Sequence, residues 1–147
     1  MTLRERIQGD LKSALKAGQK DAVRTLRMLE AALKNKQIEL RRPLEDAEVV
    51  QAIQGGIKQR RDSIAQYEKG GRPDLVAQEQ AEADVLTGYL PAQLTDAELD
   101  AMVQAAIAEV GATGPKDLGA VMKRVMAQAA GRAEGGRINA LVRARLA

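Results

Sequence analysis

An all-α fold is what this sequence predicts, and three observations carry the prediction. Ala, Leu, Glu, Gln, Lys and Arg dominate while Phe and Trp are absent, a balance that favours helices because strands draw on β-branched and aromatic side chains. Apolar residues recur at a spacing of 3.6 in run after run. Between the runs stand residues that start and stop helices, among them Thr2, Gly18, Pro43, Pro91, Thr95 and Gly111.

The first stripe is Leu3, Ile7, Leu11, Ala14 and Leu15, with Thr2 available as its N-cap and Gly18 as its stop. After Gln19-Lys20, with Asp21 near the start, Val23, Leu26, Leu29, Leu33 and Leu40 make a long second helix that ends before Pro43. Glu45-Asp46 put acidic groups at the positive end of a third, which continues through Val49, Ile53, Ile57, Ile64 and Tyr67 to Gly70-Gly71. It contains Gly55-Gly56, and two mid-helix glycines cost about 1 kcal/mol each relative to alanine. Either a neighbouring helix comes close there or the helix kinks.

The stretch from Arg72 to Leu94 holds a fourth helix marked by Leu75, Ala83, Leu86 and Leu90. It is expected from Asp74 to about Tyr89, because Pro91 has no N–H to donate and pushes Leu90 out of the α region. Short links between these four helices predict an up-and-down bundle over residues 1–90. Tyr89 and Leu90 are expected to plug the hinge to the next unit, the alternative being a binding role for Tyr89.

Residues 91–147 are expected to form a small three-helix domain. Thr95 and Glu98 have capping-box spacing ahead of Leu99, Met102, Val103, Ala106, Ile107 and Val110, and Gly111 closes that run. A sixth helix is expected from near Gly114-Pro115-Lys116-Asp117, carrying Leu118, Val121, Met122, Val125 and Met126. Gly131 to Gly136 interrupts it, and a last helix from about Glu134 holds Ile138, Leu141, Val142 and Leu146.

The chain has no Cys and no His, which excludes disulfides, thiolate chemistry and the usual zinc sites. Its only serines are Ser13 and Ser63, and it has neither a GxxxxGK[ST] loop nor the Ser- and Gly-rich loop of a Ser-Ser-Lys amidase. Glu79, Glu82 and Asp84 read as a solvated helix face. No catalytic residue, no metal and no cofactor are therefore expected. No apolar run approaches the roughly 20 residues of a membrane span, and the N-terminus lacks the apolar core of a signal peptide. A cytoplasmic location and no membrane partner are the expectation.

Net charge is only +3, but it is unevenly spread: residues 1–42 carry 11 basic and 5 acidic side chains, and residues 43–90 carry 5 and 9. The blocks either pair inside the bundle or leave a basic front for an anionic partner. Lys34, Lys36, Arg41 and Arg42 suit the negative end of the second helix. Lys58, Arg60 and Arg61 with Arg72 are a candidate patch. Lacking Phe and Trp, the chain has no stacking platform for single-stranded bases, so RNA recognition would rest on phosphate contacts and shape. In the C-terminal run GRAEGGRINALVRARL, Gly135-Gly136 beside a helix start offers backbone N–H groups flanked by Arg132 and Arg137. That can hold a phosphate, or it can be a helix break needing flexible backbone.

Three segments, KQRRDSIAQYEKGGRPDLVAQEQAEADVLTGYLPAQLTDAEL, GATGPKDLGAVMKRVM and GRAEGGRINALVRARL, carry a resemblance to the YqeY-like proteins over nearly the whole chain. The C-terminal part is similar to the tail of the GatB subunit of glutamine-dependent tRNA amidotransferase. The resemblance implies an all-α fold, a four-helix part followed by a three-helix tail. In the amidotransferase that tail helps hold the tRNA body, while amidation of Glu-tRNA or Asp-tRNA takes place in a cradle this chain lacks. The family's label, carbon–nitrogen ligase with glutamine as amido-N-donor, is inherited from the whole enzyme. The tail motif maps onto Lys116, Asp117, Gly119, Met122, Gly131 and Gly135. Leu118 stands where methionine is usual, and Glu134 where aspartate is usual, which keeps a carboxylate at the helix start on a longer side chain than a tight cap uses.

The reading that follows is a non-catalytic tRNA-binding or amidotransferase-associated module. Lys116, Lys123, Arg124, Arg132, Arg137 and Arg143 are the expected phosphate contacts, with Gly135 and Gly136 as backbone donors. Charge reversal at Arg132 and Arg137 is expected to weaken tRNA binding with helix content intact. Amidotransferase or tRNA-charging enzymes are the implied protein partners. The alternative is a protein-interaction adaptor with no RNA binding.

Overall fold

Caps supplied by the sequence set the helix ends. The structure, a computed structural model, describes residues 1–147, which fold into seven α-helices with no strand, the all-α class that the composition predicts. They fall into two compact units, Met1–Leu90 and Pro91–Ala147. No helix is long and apolar enough to cross a membrane.

In the N-terminal unit, α1 (Leu3–Ala17) opens on a reciprocal cap in which Thr2 Oγ1 accepts from the Glu5 N–H and the Glu5 carboxylate from the Thr2 N–H. It ends at Gly18, whose φ of 69° suits a residue without Cβ. Helix α2 (Lys20–Leu40) ends at Arg41 in the same left-handed region. In α3 (Asp46–Lys69) the Glu48 carboxylate accepts from the Glu45 N–H and takes both terminal nitrogens of Arg42, at 2.7 and 2.8 Å. These donors hold the Glu48 carboxyl down at about 2, with the Arg42 hydrogen bonds the largest cause.

Helix α4 (Pro73–Thr87) starts on a proline and stops two residues short of the expected Tyr89. There the Tyr89 and Leu90 N–H groups turn back to Leu86 and Thr87, each at 3.1 Å. That tighter winding leads the chain into Pro91. α3 packs along α4, α1 on α2, and α2 against both α3 and α4. Ile7, Leu26, Leu33, Val49, Ile53 and Leu86 are almost fully buried between them, each contributing about 1.5–3 kcal/mol relative to exposure. Tyr89 and Leu90 pack in this same core. The Tyr89 hydroxyl donates to Asp10, and the Arg6 guanidinium sits 4.8 Å above the ring. Burial, then the Asp10 carboxylate, pushes the phenol pKa up.

Helix α3 runs unbroken through Gly55-Gly56. A Cβ on Gly56 would stand 3.1 Å from Leu86 Cδ1, so close packing of α4 accounts for that glycine. Nothing lies within 4 Å of a Cβ on Gly55, so packing within the chain does not.

The same packing encloses charge. Glu82 and Arg60, 4% and 7% exposed, face each other across α4 and α3, and Arg24 of α2 closes on Glu82 from the other side at 2.9 Å. Arg60 Nε is 3.9 Å from Glu82 Oε2 and has no hydrogen-bond partner, while its Nη1 donates to the Gly56 carbonyl at 3.0 Å. This corrects two expectations: Glu82 is not on a solvated face, and Arg60 does not belong to a surface patch. Arg72 is separately engaged by Asp74 at 3.0 Å.

In the C-terminal unit, α5 (Asp96–Val110) carries the reciprocal Thr95–Glu98 cap that the spacing predicts and ends at Gly111, φ 72°. The Gly114–Asp117 stretch winds as a 3-10 turn over Pro115–Asp117 before α6 (Leu118–Ala129) begins. Asp117 fixes that turn by accepting from the Thr113 and Gly114 N–H groups, and the Thr113 bond is the main cause holding its carboxyl below the usual range. After a left-handed Ala130, α7 (Gly135–Leu146) packs against α5 and α6. Leu99, Val103, Val121, Val125, Ile138 and Val142 are fully buried between the three.

Candidate functional site

The six cations read as phosphate contacts have unequal freedom in the fold. Arg132 Nε donates to the Ala92 carbonyl at 2.9 Å, and Arg137 Nη1 donates to the Leu94 carbonyl at 2.9 Å while Nη2 meets the Asp96 carboxylate. The Leu94 N–H returns to the Arg132 carbonyl at 2.7 Å. These two arginines therefore clamp the segment leading into α5, with Leu94 pressed into the core. They are brought together, but around backbone of their own chain.

Arg124 is spent at the far end of α5. Its Nε and Nη2 lie 2.8 and 2.6 Å from Glu109. Asp96 and Glu109 are 13 residues apart on one helix, so at 1.5 Å per residue the anchors of Arg137 and Arg124 are about 20 Å apart. One phosphate cannot bridge them. Arg143 donates to Asn139 Oδ1 at 2.8 Å, a neutral partner. It lines a small cleft of about 220 Å³ with Leu146 and with Pro115 and Leu118, the residues on either side of Lys116-Asp117. Lys116 and Lys123 are exposed and carry no ion pair. Lys116, Lys123 and Arg143 thus keep their charge available to a ligand, and Arg124, Arg132 and Arg137 hold the unit together.

The two glycines also divide. A Cβ on Gly135 would meet the Met126 Cε at 3.7 Å, an ordinary packing distance, whereas Gly136 faces open space. Glu134 is the extended N-cap residue of α7, and its side chain makes no cap hydrogen bond. The longer carboxylate does not close the turn as a shorter one would. The first turn of α7 therefore presents its N–H groups without a side-chain cap, at the positive end of the helix.

The charges that sequence reading missed lie in the other unit. Arg60 continues the stripe Val49, Ile53, Ile57, Ile64 of α3, and Glu82 the stripe Leu75, Leu86 of α4. A charged residue at a core position of an amphipathic helix was the available signal. Nowhere do three or more carboxylates converge as a metal-binding group would require.

A sequence model of the family described as Yqey-like protein matches residues 4–146. Similar proteins include "Altered inheritance of mitochondria protein 41, mitochondrial" of Pyrenophora tritici-repentis, 36% identical over 131 residues, which cover 87% of this chain and 71% of that protein. The protein of the same name from Lachancea thermotolerans is 35% identical over 115 residues, 74% and 60% of the two chains. That of Saccharomyces cerevisiae strain YJM789 is 34% identical over 95 residues, 64% and 51%. The chain spans about half the length of this last relative. The expected cytoplasmic location is corrected by these findings, since the relatives are named as mitochondrial proteins. It rested on a missing apolar segment, which bears on secretion and membrane insertion. Mitochondrial targeting sequences are amphipathic and Arg-rich, and that criterion is blind to them.

Proposed function

The chain belongs to the Yqey-like protein family, and from that premise we propose that it is a non-catalytic helical module that binds tRNA, in association with glutamine-dependent tRNA amidation. Likeness of the C-terminal unit to the amidotransferase tail supports this reading. The observation that carries it is the uncapped first turn of α7 with Gly136 bare, in a unit where Lys116, Lys123 and Arg143 also form no ion pair. Backbone N–H groups at a helix start take a phosphate oxygen, and exposed lysines take its neighbours. The absence of large aromatic platforms suits a folded RNA read by its backbone.

The geometry also divides the work among the arginines. Arg132 and Arg137 position the Pro91–Asp96 segment, so reversing their charge removes fold contacts together with any RNA contact. The clean test is Lys116→Glu, Lys123→Glu and Arg143→Glu, singly and combined, with tRNA affinity measured across a salt series. Each lost phosphate contact should lower the slope of log K against log salt by about 1, with circular dichroism unchanged. An unaltered slope in the triple variant would exclude this surface.

A second reading, a protein-interaction adaptor, is favoured by one specific observation: Arg124, Arg132 and Arg137 already have partners inside the unit. It expects association with protein that survives nuclease treatment and no salt-dependent tRNA affinity.

A further inference from the structure

Packing within the chain leaves Gly55 of α3 unexplained. This glycine weakens α3, touches nothing that would forbid a side chain, and lies in the wall of a groove of about 360 Å³ between α2 and α3. Ala32 and Met28 from α2 and Ala52 and Gly56 from α3 line it too, beside the larger Leu29, Gln59, Arg60 and Leu86. Small residues let a second backbone come close, and methionine reshapes to what is laid on it. Met28, 55% exposed, also lines an adjoining groove of about 450 Å³ with Val23 and the half-exposed Leu15. From Val23 to Ala32 the joined grooves follow α2 for about 14 Å, between two and three helical turns.

Charge identifies the occupant. Lys20 and Arg27 border the groove without an ion pair, no carboxylate lines either groove, and Arg24 of the same wall is taken up by Asp21 and Glu82. Arg60 lies in the wall, more than nine-tenths buried, with its Nε donor unused. Its Nη2 rests 3.9 Å from the Met28 sulfur, so a shift of that flexible side chain opens a path to the guanidinium. An apolar, small-residue floor edged by free cations is the complement of a helix with leucines on one face and carboxylates beside them. A polyanion such as RNA would leave the apolar floor unused.

We propose that this face of α2 and α3 docks an acidic amphipathic helix of a partner protein, its apolar stripe on Leu15, Met28 and Gly55 and its carboxylates against Lys20, Arg27 and Arg60. The site belongs to the N-terminal unit and does not depend on tRNA binding by the other one.

The test uses the full chain and a fluorescein-labelled synthetic helix of about 15 residues. Its leucines stand at i, i+3, i+4, i+7 and i+11 with glutamates flanking them, and in a control peptide lysines replace the glutamates. The glutamate peptide is expected to bind and the lysine peptide to bind at least about tenfold more weakly. Gly55→Leu has room for its Cβ in a helical backbone and fills the groove, and Arg27→Glu reverses the rim. Each should weaken the glutamate peptide about tenfold or more while tRNA affinity stays as it is. Equal binding of the two peptides, binding of neither, unchanged affinity in Gly55→Leu, or displacement of the peptide by tRNA would overturn the proposal.

Discussion

Thr25, Arg60 and Glu82 are buried in the N-terminal unit, whereas every buried residue of the C-terminal unit is apolar. The C-terminal unit still uses charge, with Arg124, Arg137 and Arg145 each closing on a carboxylate of α5, but it does so at the surface. The difference lies in where an ion pair does its work. At the surface, water screens both partners and a pair contributes about 0–1 kcal/mol. Inside, each charge has lost its hydration, and removing one partner strands the other. The N-terminal unit therefore depends on Glu82 in a way the C-terminal unit depends on no single charge.

The largest effect expected from this contrast is Glu82→Ala, which leaves Arg60 buried without a counter-ion. It should cost about 3–5 kcal/mol in urea unfolding followed by circular dichroism. The paired change Arg60→Met with Glu82→Leu should recover most of that loss, because well-packed apolar residues replace a buried pair at little cost. Asp100→Ala, which opens the exposed pair with Arg145, should change stability by under about 1 kcal/mol. Similar losses for Glu82→Ala and Asp100→Ala would break the comparison.

A smaller effect separates the two glycines of α3. Gly55→Ala should stabilise the N-terminal unit by about 1 kcal/mol, because the new methyl meets no atom and helix propensity improves. Gly56→Ala should gain less or lose, because its methyl would press on Leu86 at 3.1 Å. The two melting temperatures, compared with that of the parent chain, decide it. Equal gains would mean that α4 is not held against α3 at that point.

The smallest effect concerns the partly buried Glu48, whose carboxyl is held down at about 2 against an ordinary value of 4.5. A folded value below the unfolded one stabilises above pH 4.5, and this contribution is lost as pH falls from there through about 2. In Glu48→Gln the fall in stability across that window should be shallower, read from urea midpoints at a series of pH values.

Much of the fold was legible because its signals are local. Thr2 with Glu5, Thr95 with Glu98, and Gly18 and Gly111 each act within a single helical turn, and the apolar stripes name one face of each helix. What was not legible depends on contacts distant in sequence. Arg24 and Glu82 are 58 residues apart, and only packing of α2 on α4 turns the acidic run of α4 into a core position. Likewise, the choice between close approach and kink at Gly55-Gly56 needed Leu86, thirty residues on. For the candidate site, the sequence identified the cations and the glycine break. It could not tell that Arg132 and Arg137 turn inward to the carbonyls of Ala92 and Leu94, while Lys116 and Lys123 remain free.

Whether the chain binds tRNA is decided by equilibrium binding of total tRNA to the intact chain, at low and near-physiological salt and beside a double-stranded DNA control. The expected result is a submicromolar affinity that prefers tRNA and persists near physiological salt, with a log–log slope set by a few phosphate contacts. Weak binding that disappears with salt and does not distinguish tRNA from DNA would contradict it.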